Sequence, residues 1–468
     1  MKKNNFLLSI ASVALLSGCL ASCGKSTPTI TVWVGEESAQ FYQKMCNQYK
    51  VEHANFGYDV VIKGIDTGTV AGTITSDPKA AGDIFTVAHD NIGKLAGGKY
   101  AKPMVDQLLI DQVESDNPDS FKSVIYSTLE GKRYLFGAPY ISQALFLYYN
   151  AEKISAEQAK SFEGIFAAAK DAGNKVKGVT VVGDDGFNFS FTLLAQNATD
   201  HSTSVKIYEG ATESSKGTSN VQGDDMVSRT KWLQEAYNNP NGFAFASQSG
   251  WEQDLNNNAV LSVIGGAWHY EAAAAAIGSS KIGITILPTF TITEDQAVGT
   301  CQAGTTFRAG TFADCKVFMI NAYSDSGKYA AEQELIRFLT SKDIQTRSFV
   351  ECSNVPAYEG ASSQFKTLYE DNRITLNQYL LASAQVDMAS WGIPQPFITG
   401  TLNTYFYSKS APAVYRALIE GKNYPETDPL VTNTYTTNGV RQGLYLMEYI
   451  WMHGKNPTSI PTELPVAA

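Results

Sequence analysis

Cysteine is scarce in this chain, six residues among 468, and no two form a C-x-x-C pair or stand at a zinc-site spacing from histidine. The five histidines, His53, His89, His201, His269 and His453, are scattered and lack an obvious acidic or thiol partner. A G-x-S-x-G nucleophile elbow, a G-x-x-x-x-G-K-[ST] phosphate loop, an H-E-x-x-H motif and an EF-hand loop are all missing. Ser363-Gln364-Phe365-Lys366 fits S-x-x-K, a pattern with two fixed positions that recurs by chance. These absences argue against an enzyme, a bound metal and a cofactor. Carboxylate pairs for glycoside hydrolysis escape such a scan, because a fold can bring two acids together from anywhere. Charge is low as well, at 18% of residues, and its balance is −10, so the surface repels nucleic acid.

What is present begins with an address. Met1-Lys2-Lys3-Asn4-Asn5 is a cationic head, and Phe6 to Leu16 is an apolar run about half as long as the ~20 residues a spanning helix needs. Two cysteines follow, in Leu16-Ser17-Gly18-Cys19 and Leu20-Ala21-Ser22-Cys23, and both fit a lipobox. Cys23 is the expected lipidation site, because the flexible Gly24-Lys25-Ser26-Thr27-Pro28 follows it; Cys19, still followed by apolar sequence, is the alternative. Residues 1–22 are then a lipoprotein signal peptide and 23–28 a tether. Lys2 and Lys3 leave with the signal and no acid does, so the formal charge moves from −10 to −12.

The remaining body, about 440 residues, is too long for one ordinary core and implies two domains or more. The full chain's 24 Tyr and 23 Phe supply amphipathic rings suited to uncharged polar ligands. Cys301 and Cys315 flank a Gly-rich loop and either bridge it or remain as buried thiols.

Strand and helix signals alternate from Thr29 onward. Thr29 to Val34 reads as a strand, Phe41, Met45 and Tyr49 share one helical face, and Tyr58–Ile62 and Asp83–Val87 are further strands, a βαβ pattern. Gly131 to Asn150 is a long extended segment, read as a crossing between two compact units near 138–145, and Pro288-Thr289-Phe290 as a second crossing. Residues 199–223 read as a polar insertion, and the chain beyond Pro356 as mostly helical.

With those segments in hand, the chain resembles the extracellular solute-binding proteins of carbohydrate ABC importers, closest to the maltose/maltodextrin-binding type. The likeness is carried by Thr29–Gly35, Gly82–Gly93 with Lys99–Met104, Gly131–Asn150, Val263–Trp268, Ile284–Phe290, Phe312 with Ile320–Ser324, and Ile393-Pro394-Gln395. It implies an α/β, two-lobed periplasmic-binding-protein-like fold of the class II type, with hinge-connected lobes and a ligand cleft. The expected lobes are 29–140 plus 289–352 and 141–288 plus 353–468, with a third crossing near Asn354-Val355-Pro356.

Carried over position by position, the resemblance places Glu36 and Glu37 at the cleft mouth, and Asp90 with Asn91 at the end of another strand, where Asp90 also reads as a helix cap. Gln143 stands where the family commonly has an acid, and Asn91 where it often has arginine. Trp268 matches a stacking tryptophan, with Tyr270 as partner. Phe187-Asn188-Phe189 replaces an acidic-proline-aromatic triplet, which brings Asn188 and Phe189 into the candidate set; Trp391 lies near a further aromatic position in shifted register. For each ring, packing in the core is the other reading.

The resemblance implies a monomeric, lipid-anchored protein on the extracytoplasmic face that hands an oligosaccharide to ABC permease subunits, without catalysis, cofactor, metal or nucleic acid. A secreted carbohydrate-active enzyme and a lipoprotein for a non-sugar solute are the alternatives.

Overall fold

The computed structural model describes residues 27–209, 216–247, 250–395, 402–461 and 464. The signal segment, Cys19, Cys23 and all but the last two tether residues lie outside them. In chain order the frame comprises β1 (Thr29–Gly35), α1 (Ala39–Glu52), β2 (Asp59–Ile65), β3 (Ile84–Ala88), β4 (Ala138–Gln143), β5 (Phe146–Asn150) and β6 (Lys177–Val182). It continues with α2 (Asp224–Asn238), β7 (Phe243–Ala246), β8 (Val260–Gly265), α3 (Tyr270–Ile277), β9 (Ile282–Thr285) and β10 (Phe312–Asn321), and closes with α4 (Tyr329–Leu339), α5 (Lys342–Cys352), α6 (Leu376–Trp391) and α7 (Thr437–His453).

Two sheets carry two cores. The first runs β2-β1-β3-β10-β4, with β1 parallel to β2 and β3, and β10 antiparallel to β3 and β4. Ile30, Val32, Trp33 and Val34 of β1 are all buried, because β1 is a central strand of this mixed sheet, parallel to both neighbours and covered on both faces. Helix α1 lays Phe41, Tyr42, Met45, Cys46 and Tyr49 on it, and the Tyr42 ring meets Phe318 of β10 edge-on at 5.8 Å. The second sheet runs β7-β6-β8-β5-β9, with β6 parallel to β7 and β8, and β5 antiparallel to β8 and β9. Its core is aromatic: Phe162 lies 5.1 Å from Phe243 and 5.5 Å from Trp232, and Trp232 stacks on Phe290 at 4.1 Å.

That last contact moves a boundary. Residues 289–312 were expected in the first lobe, but Phe290, Ile292, Phe307 and Phe312 pack in the second core, and Cys315 is the first residue of β10 to join the other. The reason is local pairing: Thr289–Thr291 pairs with Thr306–Arg308, which pairs in turn with Gln196–Asn197. Pro288 therefore bends the chain within the second lobe, and the crossing falls at the start of β10. Helix α5 straddles the division, with Ile344 in the first core and Phe349 in the second.

The three crossing segments lie side by side. Ser142 N–H donates to the Val355 carbonyl at 2.9 Å, and Leu145 N–H donates to Thr311 Oγ1 at 3.0 Å. The Gln385 side-chain amide of α6 donates to the Ser142 carbonyl. Beside them, the buried His89 ring pairs through Nδ1 with the Asp314 carboxylate of β10. Burial pulls the imidazole pKa down, but the Asp314 charge and hydrogen bond outweigh it and hold His89 well above its ordinary value. Cys301 and Cys315 are free thiols in different cores, so no bridge closes the loop between them.

Candidate binding cleft between the lobes

At the carboxyl end of a strand covered by helices the chain leaves the sheet and turns, so polar side chains collect just past that end. Here such ends from both sheets face one another. Glu36 and Glu37 follow β1, Asp66 and Thr67 follow β2, and Ser142 and Gln143 end β4; from the other lobe come Ala267 and Trp268 after β8, then Tyr270 and Glu271 at the start of α3. With Lys316 of β10 and Glu351 to Val355 they line a cleft of about 670 Å³. That volume lies within the ~300–1,000 Å³ of small-molecule sites.

Trp268 is the exposed ring of this wall, 43% accessible. The preceding Gly266 makes its posture feasible, since a Cβ there would stand 2.2 Å from the indole. Buried Tyr148 pins the turn by donating its hydroxyl to the Gly266 carbonyl at 2.9 Å. Phe187 backs the indole with ring centroids 6.0 Å apart. Tyr270 is held from behind, its hydroxyl accepting from Asn377 Nδ2 at 3.1 Å. Between them His269 turns inward against Trp251, and burial pulls its pKa down to about 4, so it stays neutral at physiological pH.

On the facing wall Glu36 and Glu37 are exposed to solvent, whereas Gln143 is nearly buried at the junction. Asn354 bridges by donating to Ser38 Oγ at 2.8 Å and Ser348 Oγ at 2.9 Å. The Cys352 thiol in this wall is pushed up to about 11, chiefly by burial, and is therefore uncharged.

Of the residues singled out in the sequence, Glu36, Glu37, Gln143, Trp268 and Tyr270 thus line one cleft. Asp90 and Asn91 sit in the turn after β3, where Asn91 Nδ2 donates to Asp90 Oδ1 at 2.8 Å; neither makes a side-chain helix cap. Asp90, Asp314 and Asp185 surround Tyr407, whose phenol is raised well above its ordinary pKa by burial and then by these charges. Asn188 is buried, donating to Asp185 Oδ2 at 2.7 Å. Phe189 lies wholly inside the second core, 4.8 Å from Phe245 and 5.9 Å from Tyr415, and offers no open face. One turn of helix explains the difference: the short helix Gly186–Phe189 directs Phe187 to Trp268 and Phe189 inward. Trp391, at the end of α6, stacks on His201 at 3.4 Å with Arg308 over its ring at 5.3 Å, and does not line the cleft.

Sequence reasoning passed over Asp66, Phe187, Glu271, Lys316 and Asn354. Asp66 had a usable signal, following a strand end as Glu36 does; Lys316, within a strand, had none. Among the described residues no group of three or more His, Cys, Asp or Glu is placed to hold a metal ion, and no helix is long and apolar enough to cross a membrane.

Two α/β lobes joined by three strand-like crossings, with a polar and aromatic cleft between their sheet ends, define a two-lobed binding-protein fold. Residues 42–371 match the family model of bacterial extracellular solute-binding proteins, and the chain belongs to that family. Comparison with curated proteins finds no match. Among solved structures, the chain is similar to the maltodextrin-binding protein MalE1 from L. casei BL23, at 17% identity and a TM-score of 0.67, over 90% of this chain and 99% of that one. It is similar to the maltose-binding protein MalE from Listeria monocytogenes, solved with maltose, at 16% identity and a TM-score of 0.65, covering 90% and 97%. MalX from Streptococcus pneumoniae, solved with maltopentaose, aligns at 15% identity and a TM-score of 0.64, covering 90% and 99%. At these identities the likeness establishes the fold.

Proposed function

We propose that this protein captures an oligosaccharide, an α-glucan of the maltodextrin class, between its lobes and delivers it to the membrane subunits of an ABC importer, held to the extracytoplasmic membrane face by a lipid on Cys23. The observation that carries the reading is the cleft itself. An exposed tryptophan offers the C–H face of a pyranose a flat apolar partner, while carboxylates and amides on the opposite lobe accept hydrogen bonds from its hydroxyls. Glu36, Glu37, Gln143, Trp268 and Tyr270 are the residues proposed to touch the sugar; Asp90, whose charge acts on Tyr407 and which accepts from Asn91, and Asn188, bonded to Asp185, are proposed to support the wall behind them. Family membership supports binding without turnover.

The test is a thermal-shift panel of the purified protein against neutral oligosaccharides. A ligand that binds only the folded state adds RT ln(1 + [L]/Kd), about 2.7 kcal/mol at a hundredfold excess over Kd. A maltodextrin should raise the melting temperature and be recovered intact. No response to any glycan would overturn the sugar reading, and hydrolysed sugar would overturn the non-catalytic one.

A further inference from the structure

Lys316 is the one cationic side chain lining the cleft among the described residues, where Glu36, Glu37, Asp66, Glu271 and Glu351 supply the opposite charge. It stands in the middle of β10, between Ala88 of β3 and Ile141 of β4. Strand alternation puts it on the same face as Phe318, which packs on Tyr42 of α1. The ladder is irregular at this point: Lys316 faces Ile141 and Val317 faces Pro139, so Tyr140 is an extra residue on β4. Such bulges twist a strand locally and re-aim its side chains.

The ammonium makes no hydrogen bond or ion pair with the described residues, although Glu37, Asp314 and Asp66 lie close enough for their charges to act on it. Burial holds its pKa below the ordinary lysine value against the pull of those three acids. A strand whose other members include Val317, Phe318, Met319 and Ile320 could hold an apolar residue there, yet it carries an ammonium that lines the cleft and is only partly removed from solvent. A donor at this position, unclaimed by a protein acceptor and open to the cleft, is free to bond a ligand.

We propose that Lys316 is a ligand-contacting residue on the cleft floor, donating hydrogen bonds to hydroxyl or ring oxygens of an uncharged glycan, and that the surrounding carboxylates exclude glycans carrying carboxylates of their own. The proposal rests on the oligosaccharide reading. A sugar hydroxyl can accept from the ammonium and donate to a carboxylate at once, so a neutral glycan satisfies both signs. A uronate gains one ion pair with Lys316 but meets the like charges of Glu36, Glu37, Asp66 and Glu271, Glu351 being paired with Lys44 at 2.9 Å, and specificity follows from that repulsion.

Calorimetric titration decides it, with maltotetraose and the same tetrasaccharide oxidised at C6 to carboxylates as probes. Wild-type protein should bind the neutral sugar and bind the oxidised one at least about tenfold more weakly. Lys316→Met should lose about ten- to a hundredfold in affinity for maltotetraose, the span of one charge-assisted hydrogen bond, with the ligand-free melting temperature unchanged or raised. Lys316→Gln, which keeps a donor without the charge, should fall between the two and guards against a misfolded methionine variant. If folded Lys316→Met or Lys316→Gln binds maltotetraose as tightly as wild type, the contact is overturned; if the oxidised sugar binds as tightly as the neutral one, the exclusion is. Wild-type protein that binds neither sugar overturns the oligosaccharide reading and this proposal with it.

Discussion

At the scale of single residues, the informative contrast is between Trp268 and Phe189, two rings that the resemblance brought into the candidate site, Trp268 as the stronger match. Trp268 follows a glycine turn that only a side-chain-free residue permits, and it stands 43% exposed; Phe189 occupies the inward side of a four-residue helix and is fully buried. Truncating Trp268 to alanine should remove contact worth about 1–3 kcal/mol, weakening sugar binding roughly tenfold to a hundredfold, while the ligand-free melting temperature falls little. A core ring behaves differently: Phe189→Ala should leave a cavity costing about 3–5 kcal/mol and lower the melting temperature directly. Calorimetry on both variants with parallel melting curves separates the two roles, and a destabilised Trp268→Ala that still binds at wild-type affinity would sink the platform assignment.

At the scale of elements, the strands and amphipathic helices were legible because period and composition agree there. Thr29 to Val34 alternates, and Phe41, Met45 and Tyr49 mark the face that α1 does bury. Legibility failed where long-range pairing decides the outcome. Pro288-Thr289-Phe290 looks like an exit from the lobe, but its partners Thr306–Arg308 and Gln196–Asn197 tie it to the second core. The polar stretch 199–223 likewise hides an antiparallel ribbon, Lys206–Glu209 with Thr218–Asn220, whose Tyr208 is buried and donates its hydroxyl to the Trp451 carbonyl of α7 at 2.8 Å. In the cleft, residues just past strand ends could be read, whereas Lys316 could not, since only the folded sheet shows which way it points.

Helix α4 carries a pH dependence of its own. Its buried face includes Glu332 among Ala331, Leu335, Ile336 and Leu339, and neither carboxylate oxygen has a hydrogen-bond partner among the described residues. Burial raises this pKa from 4.5 to about 7, against the opposing pull of the nearby Ser324 hydroxyl, which falls short of hydrogen-bond geometry, and of Lys102 and Lys328. A folded-state pKa above the unfolded one means that the folded chain holds the proton more tightly. The associated stability is complete below about 4.5 and is lost as pH rises through about 7. Glu332→Gln, neutral at every pH, should remove that slope and be the more stable form above pH 7, by an amount of the order of a few kcal/mol. Chemical denaturation of both proteins across pH 4 to 9 checks it, and parallel curves would show that Glu332 does not titrate in this range.

For the whole molecule, the three crossings bear on motion. The segments around Gln143–Leu145, Thr311–Asp314 and Ser353–Pro356 are short, adjacent and linked by few bonds, among them Ser142 to Val355 and Leu145 to Thr311, while each lobe is held by its own sheet and core. Changes of backbone angle at a few such residues can swing one lobe against the other without disturbing either core. A sugar that touches Trp268 on one lobe and Glu36 or Glu37 on the other gains its second set of contacts only when the walls approach, so it favours the closed arrangement by that difference in binding. Closure brings mass nearer the centre and lowers the radius of gyration. Small-angle scattering of the purified protein with and without saturating maltodextrin should therefore show a more compact particle in the bound state. Trp268→Ala, given enough sugar to saturate it, should shift less, since it has lost the contact that rewards approach. A profile that stays the same while calorimetry proves the site occupied would mean that the lobes are fixed and that the cleft binds as a rigid groove.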